Sequence, residues 1–303
     1  MIMKETFCPW GPRKKGFVTD PTMPYTPERL GREAEKICKR YPALMKMSIL
    51  GKSPLGYPIP LVTLGCGKRK ILAVAGVHGR EYVTVGYLLR CLEEYAEAAD
   101  KNRLYGGFPI RKILCETTFY CVPLANPDGT AIALGERIPP KGYRGEAKLF
   151  KNNSRNVNLN ANFPFMWKKV SRERLGGQKA ASETETKILM QLCEDNSFEM
   201  LLSFHCRGGT IYWRDEENGE ISCDEEISRR LSLLCGYSLE DVSRDESLYS
   251  GGFENWFRGR FGRVGLCVEL VKEETADFYD ICRDFYEAVD FVNTRLTLAV
   301  AAT

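Results

Sequence analysis

Two largely apolar runs constrain the fold of this chain more than any other feature: Ile71-Leu-Ala-Val-Ala-Gly-Val77 and Met200-Leu-Leu-Ser-Phe204. Runs of this length, bounded by loops and free of polar alternation, suit strands in the middle of a sheet covered by helices on both faces. Each run is followed directly by a histidine, His78 and His205, and the chain has no others. A lone buried histidine is ordinarily a satisfied core residue. Two of them at strand ends, the first opening His78-Gly-Arg-Glu81, instead supply a His2Glu set. That set is one of those used for catalytic zinc, where three protein ligands leave a fourth position open.

The rest of the chain alternates helical and extended patterns around these runs. Thr26 is placed to cap a helix that opens on Pro27 and runs to about Arg40. Ser48–Lys52 and Ile59–Leu64 read as strands joined by a turn-rich segment, and Ile71–Val77 as the first central strand. From about Tyr82 to Ala99, Val85, Leu88, Leu89 and Leu92 recur at helical spacing beside Arg90, Glu93 and Glu94. Thr117–Leu124 is the next strand, ending in the turn signal Asn126-Pro-Asp-Gly129. Residues 135–162 show little periodicity, and loops of that length are usually functional or disordered. Ser182 opens a helix to about Cys193, followed by strands at Leu201–Phe204 and Thr210–Trp213 and helices at Glu225–Cys235 and Phe253–Gly262. A strand at Gly265–Leu270 and a helix from about Ala276 to Leu298 complete the pattern. The expectation is an α/β fold, a single-domain α/β/α sandwich around a mixed, mostly parallel sheet. Residues 1–25, rich in proline, form an irregular N-terminal arm, and residues 26–303 the catalytic domain.

A net charge of +3 with no basic patch argues against nucleic acid and against a membrane surface as partners. Twelve cysteines are scattered through the chain, many inside apolar stretches, and no CxxC pair occurs. The first ten residues lack the apolar core of a signal peptide, so the thiols read as free and the compartment as reducing and cytoplasmic. A chain shorn of its leader would read the same way. The glycines do not make a phosphate loop, because the Gly-Lys-Ser/Thr ending is absent. Oligomeric state is not legible.

A hydrolase needs a base besides the metal, and Glu269, in Val264-Gly-Leu-Cys-Val-Glu-Leu270, is the best candidate. At the end of so apolar a strand, desolvation disfavours the charged carboxylate and moves its basicity toward neutral pH. The other reading is a salt-bridged strand-end residue.

The order of motifs resembles the zinc metallocarboxypeptidases of the carboxypeptidase A type. The matching pieces are Gly76-Val-His78-Gly-Arg-Glu81, Asn126-Pro-Asp-Gly129, Asn156-Val-Asn-Leu-Asn160-Ala-Asn-Phe-Pro164, Ser203-Phe-His205-Cys-Arg-Gly-Gly-Thr-Ile-Tyr-Trp213, Ser250-Gly-Gly-Phe-Glu-Asn-Trp256 and Val268-Glu269-Leu270. They fall in family order over roughly residues 45–295. The resemblance implies one Zn2+ per chain held by His78, Glu81 and His205, with Glu269 as general base and acid. It also implies that Lys151 stands where the family has its oxyanion-stabilising arginine, with Arg155 a second candidate. Asn160 corresponds to the asparagine of the Asn-Arg pair that grips a substrate carboxylate. The arginine of that pair is replaced by Ala161, which makes no charge-assisted hydrogen bond. Arg207 is either a replacement carboxylate anchor or a solvated loop arginine. Tyr249 lies near the family's mobile tyrosine and either caps the substrate or packs.

This pattern is similar to the γ-D-glutamyl-L-diamino-acid peptidase branch, which cuts muropeptides between D-glutamate and a diamino acid such as meso-diaminopimelate. The implied partner is a peptide or muropeptide substrate. A metallocarboxypeptidase removing a C-terminal amino acid is the rival within the class. A zinc-bearing binding protein without turnover is the rival outside it, and the retained Glu269 argues against that reading.

Overall fold

The computed structural model describes residues 16–167, 175–242, 249–272 and 289–303. Its centre is one eight-stranded mixed sheet. The strands are β1 (Met45–Lys52), β2 (Pro58–Leu64), β3 (Arg69–Val74), β4 (Thr117–Val122), β5 (Met200–Cys206), β6 (Thr210–Tyr212), β7 (Ser238–Glu240) and β8 (Val264–Leu270). They lie in the order β1-β2-β4-β3-β5-β8-β6-β7. The inner four, β4, β3, β5 and β8, are mutually parallel. Antiparallel pairings attach β1 and β2 on one side and β6 on the other, and β7 runs parallel to β6 at the edge.

The apolar runs behave as doubly covered strands should. In β3, Ile71 and Ala73 enter one core while Leu72 and Val74 enter the other. The first core is roofed by α1 (Pro27–Arg40), α2 (Val83–Asp100), α6 (Asp224–Cys235) and the C-terminal α8 (Val289–Thr294) and α9 (Thr297–Ala301). The second is roofed by α5 (Thr184–Glu194) and α7 (Phe253–Phe261). This is the α/β/α sandwich read from the sequence.

Helix α1 starts as its sequence dictates, with Pro27 in the first turn and the Thr26 hydroxyl accepting from the Arg29 N–H. Helix α2 departs from the amphipathic expectation, because Arg90, Glu93 and Glu94 are buried with the apolar residues. Residues 16–25, which form no helix or strand, cover Arg90 and Glu93, while Glu94 meets Tyr105 and Arg295. Glu93 accepts from the backbone N–H groups of Val18 (2.7 Å) and Thr19 (2.8 Å), and Arg90 pairs with Glu94 at 2.8 Å.

Several boundaries are corrected. The strand expected over Ile71–Val77 stops at Val74, because Gly76 turns the chain through φ +60°. The Asn126-Pro-Asp-Gly129 turn is the start of a helix, α4 (Pro127–Ala133), with the Asn126 side chain accepting from the Gly129 N–H. The helix α3 (Ile110–Glu116) runs straight into β4 and was not expected, being only seven residues long. The helix expected over Ala276–Leu298 falls largely outside the described residues. Its described end is broken between Thr294 and Thr297 into α8 and α9.

Candidate metal centre and its cavity

The site lies where the parallel strands end. His78 follows β3 by four residues, His205 is the sixth residue of β5, and Glu269 is its register partner in β8. Open α/β sheets collect ligands beyond the carboxyl ends of their strands, where loops leave a crevice.

Backbone packing holds the His78 turn. The Gly79 N–H donates to the Lys151 carbonyl at 2.8 Å, and the Asn126 amide donates to the carbonyls of Val77 and Asn152 at 3.1 Å each. A Cβ on Gly79 would sit 2.4 Å from the Gly129 backbone, so a side chain there would push the His78 turn off α4. These contacts bring Glu81 back toward His78. Both residues and His205 are buried.

His78 Nδ1 lies 2.8 Å from Glu81 Oε1, and His205 Nδ1 lies 3.2 Å from both His78 Nδ1 and Glu81 Oε2. Neighbouring ligands of a tetrahedral zinc with bonds of ~2.05 Å are separated by roughly 3.3 Å. Two imidazoles and a carboxylate spaced close to that edge length fit such an ion in both number and chemistry. The outer ring nitrogens are held as well. His78 Nε2 meets Asn158 Oδ1 at 3.1 Å, and His205 Nε2 meets Ser203 Oγ at 3.0 Å and Glu254 Oε1 at 3.2 Å. Partners of this kind fix the tautomer and the ring orientation of a metal ligand.

A second set of possible donors, His205, Glu254 and Cys267, also lies within 4.8 Å of one another. It suits an ion less well. Burial pushes the Cys267 thiol well above its ordinary range, and the charges of Glu254, Glu269 and Glu81 add to that effect.

A cavity of about 300 Å³ opens over the cluster. Its lining includes His78, His205, Lys151, Asn158, Asn160, Tyr249, Glu254, Asn255 and Glu269. Burial lowers the basicity of His78 to about 4 against the pull of Glu81, which keeps that ring neutral as a ligand must be. Burial also works against a charged His205, but hydrogen bonds to Glu254 and Glu81 prevail and raise it to about 10, so a metal at this cluster has to displace a proton from that ring. Loss of solvation lifts Glu269 to about 7, and the Glu81 charge adds to that effect.

Of the residues singled out from the sequence, the structure gathers His78, His205, Lys151, Asn160, Tyr249 and Glu269 around this cavity, with Glu81 beneath. Besides Glu81, two of the candidates do not line it. Arg155 is exposed, its N–H turned to Asn153 Oδ1, and Arg207 is half-buried outside the lining. Asn160 is fixed at the foot of α7, accepting from the Phe253 N–H at 2.7 Å and donating to Glu254 at 3.3 Å. Ala161 beside it is buried.

Sequence reasoning missed Asn158, Ser203, Glu254 and Asn255. Each sits one or two residues from, or inside, a motif that was noticed. The available signal was the alternation of Asn158 and Asn160, and an acidic residue set among the aromatic residues Phe253, Trp256 and Phe257 after Ser250-Gly-Gly.

Residues 32–279 match the family described as zinc carboxypeptidase. The chain is 26% identical over 256 residues to gamma-D-glutamyl-L-diamino acid endopeptidase 1 of Lysinibacillus sphaericus, covering 78% of this chain and 63% of that protein. It therefore spans somewhat under two thirds of that relative's length. It is also 28% identical over 270 residues to the uncharacterized protein YqgT of Bacillus subtilis (strain 168), covering 82% and 70% of the two. Among solved structures, thrombin activatable fibrinolysis inhibitor superposes with a TM-score of 0.78 at 16% identity, covering 93% of this chain and 74% of that one. At that identity the likeness is one of fold.

Proposed function

The chain belongs to the zinc carboxypeptidase family, and on that premise we propose that it hydrolyses the bond between γ-D-glutamate and a diamino acid, such as meso-diaminopimelate, in muropeptides. His78, Glu81 and His205 are the ligands of one zinc ion. When bound, that ion supplies a Lewis acid that polarises the scissile carbonyl. Glu269, with a basicity near neutrality, takes a proton from the attacking water as the new C–O bond forms. It then returns the proton to the leaving amine as the C–N bond breaks. The Lys151 ammonium faces the developing oxyanion, keeping the charge of an arginine without its fork. Asn160 positions the foot of α7, and Tyr249, in the cavity lining, caps the bound substrate.

The observation that carries the choice of substrate is the charge of the cavity wall. Among the described residues, Lys151 is the one lysine or arginine in the lining, against the carboxylates of Glu254 and Glu269. A C-terminal peptide carboxylate therefore meets no arginine fork at Ala161, and Arg207 is not in the wall to replace it. A leaving group that carries an ammonium suits this wall. The name of the Lysinibacillus relative supports the same reading.

The test compares zinc-loaded protein on L-Ala-γ-D-Glu-meso-diaminopimelate and on an ordinary peptide with a free C-terminus. Release of diaminopimelate with little cleavage of the second substrate is expected. The reverse preference would make the protein a carboxypeptidase.

A further inference from the structure

The side-chain amide nitrogen of Asn255 is a buried donor without a hydrogen-bond partner among the described residues, and it belongs to a residue that lines the cavity. The residue is 5% exposed. Buried polar groups are almost always paired, and an exception at a binding site calls for a ligand. Its backbone is firmly held, since the Asn255 carbonyl accepts from Asn218 Nδ2 at 2.9 Å. An amide fixed in this way, beside a cavity and lacking a partner, is organised in advance for an acceptor that arrives from outside.

Two further features define the acceptor. Asn255 is the third residue of α7, whose first turn, from Gly252 to Asn255, forms part of the cavity wall. A helix start carries partial positive charge and favours an anion. Yet the Glu254 carboxylate faces the same cavity, so an anion on its own would be repelled. A carboxylate that shares its carbon with an ammonium meets both conditions, its negative group on Asn255 and the helix start, its positive group toward Glu254.

We infer that Asn255 is a specificity-determining residue that donates a hydrogen bond to a carboxylate on the side chain of the leaving amino acid, so that the cavity reads a zwitterionic end rather than a bare ammonium. This rests on the substrate class proposed above. A diamino acid with a second carboxylate is thereby distinguished from lysine, which has only the ammonium.

The test uses zinc-loaded wild type and Asn255→Ala on L-Ala-γ-D-Glu-meso-diaminopimelate and on L-Ala-γ-D-Glu-L-lysine. Calorimetric titration with meso-diaminopimelate and with lysine, each acetylated on the amine that forms the peptide bond in the substrate, reads the site without hydrolysis. The variant should lose about 10- to 100-fold in kcat/KM on the diaminopimelate substrate, mostly through KM, the scale of one hydrogen bond to a charged group. On the lysine substrate it should stay within about threefold of wild type. Equal losses on both substrates, or no loss on the first, would overturn the assignment while leaving the peptidase reading intact. If wild type cleaves neither substrate, preferential binding of the acetylated diaminopimelate that is lost in Asn255→Ala upholds the site and removes only the proposed reaction. Absence of that preference in wild type removes the site as well.

Discussion

At Glu269 two influences act in one direction: the strand end strips the carboxylate of solvent, and Glu81 repels its charge, so it titrates near 7. A general base must be ionised to act. The kcat/KM of the zinc-loaded enzyme should therefore rise with pH as Glu269 ionises and fall away on the acid side, and that acid limb should vanish in Glu269→Gln. Glu269→Gln should cost on the order of 10²- to 10⁴-fold in kcat while zinc content, measured by atomic absorption, stays at the wild-type level. Retention of activity would assign the proton transfer to another group. Much of this site was readable from residue type alone, because only two histidines exist and each ends an apolar run. Lys151 and Arg155 could not be separated in that way. Which of two basic residues in one loop turns inward depends on Gly79 gripping the Lys151 carbonyl, a contact between segments 72 residues apart in the sequence.

Among the elements, the loop that carries Lys151 and Asn158 is pinned from behind by buried polar groups. Asn153 donates to Glu183 at 2.8 Å and reaches both oxygens of Glu185 at 3.4 and 3.5 Å. Burial, with the charges of Asp128 and Glu183, raises Glu185 to about 7. Because its value in the fold lies above the ordinary one, the neutral form is favoured. Its contribution is complete below about pH 4.5 and is lost as pH rises to about 7. Glu185→Gln should therefore be more stable than wild type above pH 7, by ~3 kcal/mol at most, and should show no such advantage at pH 4.5. Denaturant melts at the two pH values read this difference, and an advantage independent of pH would contradict it. The long elements were legible because caps and periodicity agree, as at Thr26 and Pro27. The helices α3 and α4 were not, being seven residues each and too short to show a period. The buried charges of α2 were hidden for another reason: Arg90 and Glu93 are covered by a segment some 70 residues earlier in the chain, and Glu94 by Arg295 some 200 residues later.

For the molecule as a whole, the parallel centre of the sheet does the assembling, with β3, β5 and β8 as neighbours whose carboxyl ends deliver His78, His205 and Glu269 to one place. The alternation of apolar strands and helices carried that architecture in the sequence. The arrangement of the cavity wall was not carried there, since Glu254 and Asn255 acquire their roles only when α7 packs on the Asn160 loop. That packing is visible in Phe163 stacked on Phe253 at 4.5 Å. The central claim is that His78 and Glu81, three residues apart, and His205, 124 residues beyond Glu81, hold one zinc ion. Anomalous diffraction at the zinc edge from crystals of the zinc-loaded protein tests it most directly. One peak per chain is predicted, at about 2.0–2.2 Å from His78 Nδ1, His205 Nδ1 and a Glu81 oxygen. A peak resting instead on Glu254 and Cys267, or no peak in zinc-saturated crystals, would contradict it.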